Sequence, residues 1–111
     1  MTRPESDPVL RLLADGKRRL RRGWCKGGLA RDGQGLLVMP QFQNAVRWCV
    51  VGAVYEDRAA IECVHRSAQL VGYWGGGVLN DDPRTELRHV LGLLDFAGGL
   101  RRLDLAKEPR R

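Results

Sequence analysis

No run of about 18 apolar residues occurs in this 111-residue chain, and the lack excludes a membrane-spanning helix. The first residues, Met1-Thr2-Arg3-Pro4-Glu5-Ser6-Asp7-Pro8, lack the apolar stretch of a secretory signal. Cysteine is sparse and odd in number: Cys25, Cys49 and Cys63 have no framework spacing, so free thiols in a reducing cytoplasm are expected. Only two histidines are present, His65 and His89. With those three cysteines they form no C-x-x-C or H-x-x-x-H pair, through which one turn could supply two zinc ligands. The glycines of residues 27–35 lack the Gly-Lys-Ser/Thr ending of a phosphate loop. Around Asn80-Asp81-Asp82 the alternating oxygen ligands of a calcium loop are missing. No metal and no cofactor is therefore expected.

What remains is the composition of one small domain, residues 1–111. Hydrophobic residues make up 43% of the chain, enough for a core, and charged residues make up 29%, enough for a solvated surface. The net charge of +6 is unevenly spread. Residues 1–23 carry seven bases against three acids, and residues 100–111 carry five against two; the body between them is close to neutral. Such basic ends steer a protein toward polyanions or acidic protein surfaces.

The apolar spacing predicts a mainly α fold of about four helices with a minor β-hairpin. Asp7-Pro8 reads as a cap and first helical position; Val9, Leu10, Leu13 and Leu20 then recur at helical spacing until Gly23. Gly16 inside that helix marks a bend or a close contact. Four glycines in residues 24–35 predict a loop, with Leu36-Leu37-Val38 pairing back onto residues 28–31. Asn44 is expected to cap a buried second helix over residues 45–55. Asp57 is expected to cap a third, with Ile61, Val64, Ala68 and Val71 on one face and Gly72 at its end. Residues 73–77 read as a flexible aromatic loop. Asp82 or Thr85 then caps a fourth helix carrying Leu87, Val90, Leu91, Leu94 and Ala97, which is expected to stop at Gly98-Gly99 and leave a basic tail over residues 100–111.

Three constellations can carry chemistry. Cys49, near the start of the expected second helix, stands in the order Cys, His, Asn/Asp with His65 and Asp81, as in cysteine nucleophile triads; packing as a small buried hydrophobe is the alternative. Lys26 and Arg31 flank the glycine loop and would suit an anion such as a nucleotide. Exposed Tyr73 and Trp74 would suit a base or a protein surface.

Gly23-Trp24-Cys25-Lys26-Gly27, Ala30-Arg31-Asp32, the run from Ala45 through Arg47-Trp48-Cys49 to Gly52-Ala53, Asn80-Asp81, Arg84-Thr85 and Val90-Leu91-x-x-Leu94-Asp95-x-Ala97 together resemble a family of short uncharacterised proteins. These occur in bacteria, notably actinobacteria and proteobacteria, and in their phages. The resemblance spans about residues 9–97. Two positions depart from it: Leu79 stands where the family tends to have tryptophan, and Arg88 where a glutamate would complete a capping box with Thr85. The resemblance implies a shared fold and no particular activity; its phage members point toward anti-defence roles such as an anti-CRISPR.

The leading expectation is a small, non-catalytic cytoplasmic binding protein that docks on a larger protein or nucleoprotein. Arg11, Arg18, Arg21 and Arg22 on the first helix, Trp74, and Arg101 and Arg102 in the tail would make the contact. A Cys49-dependent hydrolase or transferase and a nucleotide-sequestering binder are the alternatives.

Overall fold

A computed structural model describes residues 6–107. Helix α1 spans Pro8–Arg22. Asp7 caps it by accepting a hydrogen bond from Leu10 N at 3.1 Å, and Pro8 sits where a missing N–H leaves no helical bond unmade. Val9, Leu10, Leu13, Gly16 and Leu20 form its buried stripe. Part of that stripe faces helix α4, Leu87–Ala106, which runs antiparallel to it, as Asp7 paired with Arg101 and Lys17 paired with Asp95 require. Gly16 is a close contact. A Cβ there would lie 2.8 Å from Val54 Cγ1 and 3.3 Å from the Ala53 carbonyl, so only glycine lets α1 settle on that turn.

The hairpin forms as expected. Strands β1 (Ala30–Arg31) and β2 (Leu37–Val38) pair antiparallel, with Ala30 opposite Val38. Asp32 shapes the turn by accepting hydrogen bonds from Gln34 N and Leu36 N, each at 2.9 Å, and Gly35 takes the left-handed conformation at φ 85°.

Residues 45–55 are not a helix. Arg47–Trp48 forms a third strand, β3, on the other side of β1, and a 3-10 turn follows at Gly52–Val54. Helical spacing and β-pairing compete in this valine-rich segment. Pairing prevails because Cys49 N reaches Leu29 O and Trp48 N reaches Gly23 O, each at 3.0 Å. The segment is nonetheless central: Trp48, Cys49, Val50, Val51, Ala53 and Val54 are all buried.

Helix α2, Arg58–Leu70, is capped by Asp57 as expected, and the chain turns left-handed at Gly72. The expected aromatic loop is shorter than its glycines imply, because Gly76–Asp81 is a short helix, α3. A Cβ at Gly76 would come within 2.7 Å of Val64 Cγ1, and one at Gly75 within 2.9 Å of His65 Nδ1. These glycines serve close packing of α3 on α2.

Helix α4 starts later than expected and runs further. Its cap is Glu86, not Asp82 or Thr85, and a capping box does exist: His89 Nδ1 accepts from Glu86 N at 2.8 Å while the Glu86 side chain accepts from the His89 amide. Thr85 is instead buried and donates to Leu79 O at 2.6 Å. Gly98-Gly99 does not stop the helix. Leu105 is buried beyond them, and Arg101 is held by Asp7, contacts that outweigh the roughly 1 kcal/mol each glycine costs a helix. Residues 100–106, expected in the basic tail, are therefore the end of α4, and residues 108–111 lie outside the described residues.

The Asp7–Arg101 pair joins the start of α1 to the end of α4. Arg101 Nε and Nη2 donate to the two carboxylate oxygens at 3.0 and 2.9 Å, and Asp7 is only 1% exposed. The guanidinium holds the Asp7 pKa below the usual carboxylate range, against the opposing effect of burial. A depressed carboxylate pKa contributes stability above about pH 4 and loses it as pH falls through the folded value. Arg101→Met should destabilise the protein by roughly 2–3 kcal/mol at pH 7 and by clearly less at pH 2, measured by urea unfolding at both.

Candidate functional site

The motifs from distant parts of the chain meet around one side chain. Asn80, in α3, is fully buried, and its amide uses its whole hydrogen-bonding capacity. Its Oδ1 accepts from Trp24 Nε1 at 2.8 Å and from Val50 N at 2.9 Å. Its Nδ2 donates to Cys25 O and to Asp81 Oδ1, both at 3.0 Å. Two donors on one side and two acceptors on the other also fix which way the amide points.

Around this centre the Trp24-Cys25-Lys26-Gly27 segment is clamped onto Asn80-Asp81-Asp82. Asp81 Oδ1 accepts from Gly27 N at 3.0 Å, and Lys26 Nζ donates to Asp82 O at 2.8 Å while lying 5.3 Å from the centre of the Trp24 ring. Tyr73 OH donates to Asp82 Oδ2 at 2.9 Å, and Arg84 holds the same carboxylate from the other side. These partners keep the Asp82 pKa well below the ordinary range, and the same carboxylate raises that of Tyr73.

Beside the clamp lies a cleft of about 280 Å³ lined by Cys49, His65 and Asp81 together with Gly28, Leu29, Val51 and Gly77. The three residues in triad order thus do share a site. Their polar atoms, however, are turned to other work. His65 Nδ1 accepts from Gly76 N at 2.9 Å, which leaves the ring proton of neutral His65 on Nε2 and makes that atom a donor rather than a base. Asp81 serves Gly27 and Asn80, so it does not orient the imidazole. Cys49 Sγ accepts from Gly52 N at 3.3 Å, and burial pushes its pKa up to about 11. Cys49 is thus a buried thiol engaged by Gly52 N, beside an imidazole whose Nδ1 is engaged by Gly76 N.

Cys25 and Cys63 are likewise raised by burial. All three cysteines are free thiols, and no three His, Cys, Asp or Glu side chains among the described residues gather as metal ligands. Both cations beside the glycine loop are engaged within the fold. Arg31 donates Nη1 to Gly35 O at 2.8 Å and Nη2 to Lys26 O at 3.2 Å, and Lys26 is turned to Asp82 O. Arg31 closes the loop on itself, and Lys26 ties it to Asp82.

The residues expected to bind a partner fall into two groups. Arg101 is committed to Asp7. Arg11, Arg18, Arg21 and Arg22 are exposed on α1; Arg18 pairs with neighbouring Asp15, and the other three have no carboxylate partner among the described residues. Arg102 is also exposed and borders a shallow depression between α1 and α4, beside Ala14 and Lys17. Trp74 is 89% exposed on the α2–α3 connection, near Gln69 and Tyr73 rather than among the arginines. The sequence reading missed the Asp7–Arg101 pair and the reach of Asn80, because residues far apart in the chain carry no local sign that they meet.

Two outcomes test this geometry. Asn80→Ala leaves the Val50 amide, the Trp24 indole and the Cys25 carbonyl without their partner, and should cost at least about 3 kcal/mol in urea unfolding with loss of the shifted Trp24 indole signal in NMR. Native Cys49 should resist iodoacetamide at pH 7.5 and react once the protein is unfolded; rapid native alkylation would restore the nucleophile reading.

No curated protein and no solved structure matches this chain. One family model does, over residues 4–99, and that span includes Trp24, Cys49, His65, Asn80 and Asp81. The chain belongs to DUF6197, a family of unknown function.

Proposed function

We propose that this protein is a small non-catalytic binding protein whose α1 face docks on an acidic surface of a larger protein or nucleoprotein. One observation carries the reading: Arg11, Arg21 and Arg22 lie exposed on α1 without a carboxylate partner among the described residues, while Arg19 and Arg101 of the same chain are tied to Glu56 and Asp7. Cations that a fold needs are paired; cations on an outer helix face are free to meet an external anion. Arg18, with an exposed and easily exchanged partner, and Arg102 extend the same surface. Trp74 is a separate contact point.

The compartment that suits three unbridged thiols is the cytoplasm. The phage members of the resembling family support a concrete setting, inhibition of a nucleic-acid-dependent host defence system in the manner of an anti-CRISPR. The committed polar atoms of Cys49, His65 and Asp81 weigh against the hydrolase alternative, and the self-closed glycine loop weighs against a nucleotide site there.

The test is capture of host partners by the tagged protein with and without nuclease, followed by titration of the captured partner. Arg11→Glu with Arg22→Glu should leave the circular dichroism spectrum unchanged and weaken binding by at least about tenfold, and wild-type affinity should fall as salt rises. Affinity that is flat across the salt series would overturn the reading.

A further inference from the structure

A second concavity runs along α4, away from the motif cleft and from α1. It encloses about 600 Å³, inside the range of about 300–1,000 Å³ usual for small-molecule pockets. Its two ends differ in chemistry. Along α4, Leu93 and Phe96 line one end; Val71 also lines the groove, and Phe96 and Val71 remain 40% and 53% exposed. Arg88 and His89, with Arg84 shortly before them in the chain, line the other, and no carboxylate among the described residues lines the groove.

The polar end presents donors. His89 Nδ1 accepts from Glu86 N, so the proton of the neutral ring sits on Nε2 and that atom donates. Arg84 uses Nε and Nη2 on Asp82, and Arg88 uses Nε and Nη2 on Glu86. Each guanidinium has five N–H donors, and its Nη1 group has no partner among the described residues. The Arg88–Glu86 pair is exposed and weak, so a ligand can draw on Arg88, whereas Arg84 stays on the largely buried Asp82 and offers its remaining donors. Between the ends lies Gly92, where a Cβ would meet nothing within 4 Å. Glycine at that position leaves the groove open. From Arg88 to Phe96 the helix rises about 12 Å, the length of an extended medium acyl chain.

We propose that this groove binds a small amphipathic anion: a free, unbranched acyl carboxylate of medium length, its head at Arg84, Arg88 and His89 and its tail passing Gly92 toward Phe96. The match of a cationic end to an apolar end selects this occupant. A purely apolar ligand would leave the donors unused, and a purely charged one would leave Phe96 in water. The site is independent of the α1 docking face.

Decanoate below its micelle concentration is the probe, titrated into the full chain by calorimetry with amide shifts followed by NMR. Saturable one-to-one binding is expected, with shifts centred on the groove-lining residues. Gly92→Met should fill the groove and lower affinity by at least about tenfold. Replacing a helical glycine, it should keep or raise thermal stability. Arg84→Gln with Arg88→Gln should weaken decanoate by about tenfold while leaving decanol unchanged. Absence of saturable binding, equal affinity for decanol and decanoate in the wild type, or unchanged binding in Gly92→Met would each overturn the proposal. Tighter binding of an acidic amphipathic peptide than of decanoate would overturn it in favour of a protein partner.

Discussion

The Asn80 amide is the constraint on which the arrangement of this protein rests. It sits in a short helix of six residues, which has little stability of its own. Four hydrogen bonds tie it to Trp24, Val50, Cys25 and Asp81, and so join the segment after α1, the segment after β3 and the end of α3. The Val50 amide and the Cys25 carbonyl, both in buried residues, would otherwise need water that their positions do not supply. A fully satisfied buried network rigidifies, whereas a partly satisfied one destabilises, and here every valence is filled. The cleft lined by Cys49, His65 and Asp81 lies beside this clamp, to which Asp81 belongs.

The charges follow a similar division of labour. Arg101, Arg19 and Lys17 close the fold on Asp7, Glu56 and Asp95. On the outer α1 face Arg18 pairs only with neighbouring Asp15, and Arg11, Arg21 and Arg22 have no carboxylate partner among the described residues. Position relative to the buried stripe decides which is which: Arg19 lies near enough to the core edge to reach Ala53 O at 2.9 Å as well as Glu56, whereas Arg11 and Arg22 point to solvent. A basic terminal segment is therefore two things at once, a set of internal fasteners and a surface that faces outward. The groove along α4 adds a second surface of different character, in which cations and apolar side chains are separated along one helix.

Helices α1 and α2 were legible because their caps and stripes are local: Asp7, Asp57 and the apolar residues at helical spacing act within a few residues of one another. Residues 45–55 were misread for a physical reason. A run that is apolar on every side has no periodicity to separate a buried helix from a buried strand, and only its pairing with β1 and Leu29 decided the matter. The glycines misled in two directions. Gly75 and Gly76 suggested a loose loop but permit close packing, and Gly98-Gly99 suggested a stop that the burial of Leu105 overrides. Cys49, His65 and Asp81 line one cleft, yet their chemistry depends on where each polar atom points, which spacing does not encode.

By itself the sequence determined a mainly helical small domain, a short hairpin, the caps of two helices, the burial of residues 48–54 and the concentration of positive charge near its ends. These follow from composition and from interactions between near neighbours. Only the tertiary structure decided that residues 47–48 are a strand, that Arg101 is a fastener, that His65 presents a donor and that Arg84, Arg88 and Phe96 share one groove. Each of those depends on a partner many residues away in the chain, and such a partner has no local signal.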